Sequence, residues 1–221
     1  EGFYEIMNNS LTRSSYYQKF ESELYETRVS ILNPLSAELD CMRSSLLFGC
    51  LEVVAYNKNR QTSDVSIFEF GSVYHHVATE GTVIQKYKEQ QHLAICSIGK
   101  QMSQHWNYPN ADTDIFVLKS HVSKILQKLG LQSYRYTPMQ NSTLDGLECV
   151  VNKRIVGRLG VVKPAVCKQF DIEKPCFYAE MYWDVLLKSK SVVIFIANKD
   201  FDEQEFVIVK SYLIKNKFNV F

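Results

Sequence analysis

The chain has 221 residues, 46% of them apolar and 22% charged, with a formal net charge of +1. That length suits one large domain, or one domain with a small appendix, and the apolar share suffices for a packed core. The near-zero charge excludes a global field for nucleic acid or an anionic membrane, and no apolar run reaches the ~18–20 residues needed to span a bilayer.

Residues 2–10 read as a helix end entering a strand, and 16–26 as a short helix or exposed crossing. Residues 29–32 form a short strand closed by the turn dipeptide of Asn33 and Pro34. Ser44 or Ser45 is placed to cap a helix, because its hydroxyl accepts an orphan backbone N–H. In that helix Leu46, Leu47, Cys50, Leu51, Val53, Val54 and Asn57 recur at helical spacing. Gly49 costs about 1 kcal/mol there relative to Ala and marks a close crossing with a neighbour. Residues 65–74 alternate as a strand, and 92–98, apolar on both faces, read as a central one.

Asp114 or Ser120 opens a further helix with a stripe of Leu118, Val122, Ile125 and Leu129. It ends at Gly130, with Lys124 and Lys128 in the last turns. Strands follow at 133–137 and 147–162, the second a hairpin bent at Asn152 and Lys153. A short helix from Pro164 to Phe170 leads to a strand at 176–183. Strands joined mostly by hairpins predict an α+β fold with an antiparallel sheet, not a doubly wound one. The composition changes after Asp184: residues 191–198 are β-prone and 201–213 helical.

The six cysteines, at 41, 50, 96, 149, 167 and 176, form no Cys-x-x-Cys pair and sit among apolar neighbours. They read as reduced, buried thiols of a cytosolic protein. The first ten residues have no basic stretch followed by an apolar one, so no secretory signal is expected. The absent initiator Met suggests a piece of a longer chain.

Sites of chemistry are scarce. His75, His76, His92, His105 and His121 stand at no metal-ligand spacing. Gly157 and Gly160 are too close for a dinucleotide loop and read as relief of strain in a hairpin. No serine or cysteine sits in a nucleophile elbow. Asp112 and Asp114, near Trp106, are either a carboxylate pair or, more simply, a helix cap in Asp114. Residues 210–218, KSYLIKNKF, are basic with aromatics, which suits RNA contact or a solvated helix face.

The stretch 33–74 carries Asn33, Pro34, Met42, Arg43, Leu46, Leu47 and, in FEFGSVY, Glu69, Gly71, Val73 and Tyr74. Its order resembles the catalytic-like module of the bacterial phenylalanyl-tRNA synthetase beta subunit, NPLS…MR.SLLPGLL…FE.G.VY, with Phe48 where that family places proline. The opening GFYEIMNNSLT, the stretch 105–131 and the stretch 157–186 resemble further blocks of the family in the same order, so the likeness covers residues 1–187.

The resemblance implies a class II aminoacyl-tRNA synthetase-like antiparallel sheet flanked by helices over 1–187. Residues 188–221 would then be the start of a ferredoxin-like anticodon-binding domain. It implies a cytoplasmic, non-catalytic module that supports the alpha catalytic subunit in an (αβ)₂ ligase charging tRNA(Phe) with phenylalanine through an adenylate. An unrelated interaction or RNA-binding domain is the alternative reading.

Class II enzymes clamp the nucleotide's phosphate with arginines, since a planar guanidinium engages two oxygens at once. Here His75, His76 and Val77 follow Tyr74, and both histidines read as neutral and solvent-facing. Met181 follows Glu180 where the second arginine is expected, and Phe177, Tyr178 and Tyr182 replace glycines, which predicts a filled cleft. Two missing guanidiniums remove the largest catalytic contribution. No catalytic, cofactor-binding or metal residue is therefore assigned; ATP and Mg²⁺ belong to the holoenzyme. Contact with the alpha subunit is expected at Asn33, Pro34, Arg43, Leu47, Leu51 and Val54.

Overall fold

The computed structural model describes residues 2–189, apart from 35, 37, 79–81, 102–106 and 108–110. The expectations for 191–221, including the basic stretch 210–218, and those for His105 and Trp106 lie outside the described residues.

A short extended segment, β1 (Tyr4–Glu5), opens the chain where a helix end was expected. It is followed by β2 (Leu11–Thr12), α1 (Ser14–Phe20), α2 (Ser22–Glu26) and β3 (Cys41–Met42). Residues 29–32 make no strand of their own beyond one bridge, Ser30 to Cys41. Next come α3 (Leu47–Lys58), β4 (Val65–His76) and β5 (Tyr87–Ile98), the last two an antiparallel pair of 12 residues each. After α4 (Ile115–Lys128) the strands β6 (Tyr134–Gln140), β7 (Leu144–Val151) and β8 (Arg154–Val162) form a meander. Finally α5 (Pro164–Gln169) leads to β9 (Cys176–Tyr182) and α6 (Trp183–Lys188).

The main sheet has seven strands in the order β1-β4-β5-β9-β8-β7-β6. Every pairing is antiparallel except that of β1 with β4. The expected α+β antiparallel sheet is therefore present. The β7–β8 turn is the two-residue loop at Asn152 and Lys153, with φ of 48° and 65°. Two successive positive φ values define the primed turn whose twist matches the flanking strands.

Strand alternation gives the sheet two buried faces. On one, Ile67 and Val73 of β4, Ala94 and Cys96 of β5 and Tyr178 of β9 pack under α3 and α1. On the other, Ile95, Phe177, Ala179 and Met181 pack under Leu118, Val122 and Leu126 of α4 and Leu186 of α6. Asp114 caps α4, its Oδ1 accepting from Val117 N at 2.8 Å. Leu126 lies at the centre of that contact, whereas Ile125 and Leu129 sit at its margin.

Phe48 stands at the centre of an aromatic cluster, with ring centroids 5.1 Å from Tyr16 and 5.2 Å from Tyr17, and Phe20 and Phe170 at 6.4 Å. A ring here fills a space that proline would leave void. Gly49 does mark a close crossing: a Cβ would come within 2.9 Å of Asn8 Nδ2.

Candidate functional site

Four of the six positions expected to meet a partner are enclosed by the chain itself. Leu47 and Leu51 are fully buried and Val54 is 2% exposed, all in the core beneath the sheet. The apolar face of α3 is thus consumed by its own domain, which is what a helical stripe does whenever a sheet lies beside it. Arg43 is also buried. Its Nη1 lies 2.5 Å from Glu69 Oε1 and its Nε donates to Ser72 O at 2.8 Å. Asn8 completes the arrangement, Nδ2 donating to Glu69 Oε2 at 2.7 Å. A Cβ on Gly71 would stand 2.3 Å from Arg43 Nη2, so the glycine makes room for the guanidinium. The Met-Arg and Phe-Glu-x-Gly pattern is structural, joining the segment before α3 to β4. Only Asn33 and Pro34 are exposed.

Glu180 organises a second polar centre. On β9 it faces Arg158 of β8 as register partner and Ala94 of β5 on the other side. It is 1% exposed. Its Oε2 accepts from Ser45 Oγ at 2.9 Å and from Arg158 Nη2 at 3.3 Å. Its Oε1 lies 2.8 Å from His92 Nδ1 and accepts from Leu46 N at 3.2 Å. The cap expected from Ser44 or Ser45 is therefore shared. Ser45 Oγ accepts from Leu47 N at 3.2 Å, while the carboxylate takes the N–H before it. Burial alone would raise the Glu180 carboxyl. The hydrogen bond and charge of His92, the charge of Arg158 and the Leu46 N–H outweigh it and hold the group well below the usual carboxylate range.

Beside Glu180 lies a cavity of about 520 Å³, walled by Glu21, His75, His92, Asn141, Arg158 and Tyr182 among others. The ends of β4 and β9, the two strands expected to carry phosphate-clamping arginines, meet there. The cleft is not filled. Tyr178 is buried beneath α3 and Phe177 faces α4, so neither ring obstructs it. His75 is half-buried on the cavity wall rather than solvent-facing, and burial, helped by the neighbouring His92, lowers its proton affinity. His76 is exposed, its ring 5.6 Å from Tyr87. Met181 points to the opposite face, against Gly157.

Glu21 closes the cavity from the α1–α2 junction. It is 6% exposed; Thr143 Oγ1 donates to its Oε1 at 2.8 Å and Arg158 Nη2 lies 3.6 Å away. Burial raises its carboxyl pKa, with Arg158 and Thr143 pulling in the other direction. Glu21, His92, Thr143 and Arg158 carried no signal as a group in the sequence. A lone charge in each of two apolar strands, Arg158 and Glu180, was the available clue, because such charges are buried only when paired.

Gly157 and Gly160 lie within β8, where a Cβ would meet Glu180 O at 2.8 Å and Asp145 O at 2.5 Å respectively, so they permit close strand contact. Asp112 is exposed and pairs with Lys100 at 2.8 Å. All six cysteines are buried and free. Among the described residues no group of three or more His, Cys, Asp or Glu is placed to hold a metal ion. No described helix is long and apolar enough to cross a membrane.

The fold is that of the class II tRNA synthetases. Two structures of pyrrolysyl-tRNA synthetase from Desulfitobacterium hafniense superpose with TM-scores of 0.63 and 0.62 at 12% and 14% identity, covering 84% of this chain and 62% of theirs. The chain belongs to the phenylalanyl tRNA synthetase beta chain CLM domain family, whose profile matches residues 1–183. Phenylalanine–tRNA ligase beta subunits of Bacteroides fragilis and Porphyromonas gingivalis are 39% and 36% identical over 195 and 197 residues, or 85% and 86% of this chain. The chain spans 24% of the length of those relatives.

Proposed function

We propose that residues 1–187 are a non-catalytic structural module of a phenylalanine–tRNA ligase beta subunit, supporting the alpha subunit as it charges tRNA(Phe) with phenylalanine in the cytoplasm. One observation carries the inactive assignment: the single guanidinium on the cavity wall, Arg158, is already held between Glu180 and Glu21. A nucleotide's phosphates would meet three wall carboxylates, Glu21, Glu23 and Glu180, with that one cation already engaged. Like charge inside a half-enclosed cavity repels an anion more than in water, because the local dielectric is lower. These residues do not fit ATP. ATP and Mg²⁺ are assigned to the holoenzyme.

Support for the module role comes from how the polar residues are spent. Arg43, Glu69, Glu180 and Arg158 bind one another and backbone groups, fixing α3 to the sheet. Asn33 and Pro34, exposed before β3, remain the proposed contact with the alpha subunit. The 188–221 region is proposed as the beginning of an anticodon-binding domain.

The test is pyrophosphate exchange with ATP, Mg²⁺ and phenylalanine. The chain should support none alone, and should co-purify with an alpha subunit that does. Exchange by the chain alone would overturn the assignment.

A further inference from the structure

Two thiols on neighbouring strands have no part in the role above. Cys96 of β5 and Cys176 of β9 lie with their sulfur atoms 3.4 Å apart, and both are fully buried. They stand diagonally across the ladder, Cys96 opposite Tyr178 and Cys176 opposite Ile98, on the face beneath α3. The contact is a shared S–H hydrogen. That hydrogen bond to Cys176, with burial, holds the Cys96 thiol well above its usual range, so Cys96 keeps the hydrogen and Cys176 accepts it. Cys176 is then the sulfur placed to attack.

A narrow route leads to the pair. Cys176 opens β9, and its register partner Ile98 lines a cavity of about 90 Å³ together with Val54, Val65 and Ile172. The cavity reaches the surface at Thr62, Ser63 and Lys174, all exposed. A water takes up about 30 Å³, so a neutral molecule of similar size enters where an aromatic reagent does not. A disulfide holds its sulfurs about 2.05 Å apart. Closing the gap takes side-chain rotation and a slight approach of the strands, since diagonal neighbours start ~7–8 Å apart. That lies beyond the usual span of the bond, and a strained disulfide is readily reduced.

We propose that Cys96 and Cys176 are an oxidative modification site, joined by a reversible disulfide when the protein meets hydrogen peroxide. The Cys176 sulfur attacks one peroxide oxygen and the O–O bond breaks. The departing hydroxide takes the thiol hydrogen as water, leaving a sulfenic acid. The Cys96 sulfur then attacks the Cys176 sulfur: the S–S bond forms, the S–O bond breaks, and the hydroxide leaves as a second water with the Cys96 hydrogen. Two thiols lose two electrons and one peroxide gains them. The site does not depend on any contact with an alpha subunit.

The experiment treats the intact, folded protein with hydrogen peroxide, removes the excess with catalase, then unfolds and alkylates the chain for mass spectrometry. Of the six cysteines, two should be blocked and the other four alkylated, with one linked peptide pair joining Cys96 to Cys176. Dithiothreitol should restore all six. Cys149→Ala, on the opposite face of the sheet, should leave the linkage intact. Cys96→Ala should form no link and should leave on Cys176 a sulfenic acid that dimedone traps. Six free thiols in peroxide-treated wild type, a link that omits either residue, or conversion to sulfinic acid without a link would each overturn the proposal.

Discussion

Arg158 and Glu180 are register partners on adjacent antiparallel strands, and their side chains form an ion pair at 3.3 Å beneath the N-terminus of α3. The carboxylate thereby joins three elements at once: β8 through the guanidinium, β5 through His92, and α3 through Ser45 and Leu46.

Glu180→Ala should therefore be severe. Removing one member of a buried pair strands the other, here with only Glu21 at 3.6 Å left to Arg158. A loss of about 3–5 kcal/mol is expected, read by urea unfolding. Glu180→Gln retains an acceptor for the helix N–H and should lose less.

The same carboxylate sets an acid limit. Its folded pKa is depressed below the ordinary 4.5, so its contribution is fully present above that value. It is lost as pH falls below 4.5, because the unfolded chain then takes up a proton that the folded one resists. Wild-type stability should drop in that range more steeply than that of E180Q, measured by chemical denaturation across pH.

Glu21 acts with the opposite sign. Its folded pKa is raised, so the folded state holds the proton more tightly, and raising pH above 4.5 favours unfolding. The groups facing it are Arg158, Thr143, Glu180 and Glu23. Relative to E21Q, wild type should lose ground as pH rises from 4.5 towards neutrality. A stability difference flat with pH would contradict this account.

Gly146 and Gly160 face one another in the β7–β8 pairing, and a Cβ on Gly146 would lie 2.1 Å from Leu159 O. The clash is with backbone, which has no rotamer escape. Gly146→Ala should cost on the order of 1–3 kcal/mol, as overpacking does, visible as a lowered melting temperature.

The thiols give a reagent-based check. Burial raises Cys41 and Cys167 to about 12 and Cys149 to about 11, so little thiolate forms near neutral pH. All six cysteines should resist an aromatic disulfide reagent in the native protein and react together once it is unfolded.

Periodic features were legible from the chain because their causes are local. The spacing in α4, its Asp114 cap, the turn at Asn152 and Lys153 and the alternation of β4 all follow from neighbours within a few residues. What covers each face does not. The α3 stripe reads equally as core or interface, and only the sheet beside it decides, placing Leu47, Leu51 and Val54 inside. The cavity was illegible for a similar reason, since Glu21, Thr143, Arg158 and Glu180 come from four separate parts of the chain. Bulky residues at 177, 178 and 182 suggested obstruction. The strand's alternation instead sends Phe177 to the α4 face, and Tyr178 lies under α3.

One consequence concerns synthesis. The backbone N–H of Leu46 finds its acceptor on a residue 134 positions later. As the ribosome extends the chain, α3 must wait with its leading end unanchored until the ninth strand emerges. Docking of that helix is therefore a closing event, and products ending before residue 180 should lack a settled α3.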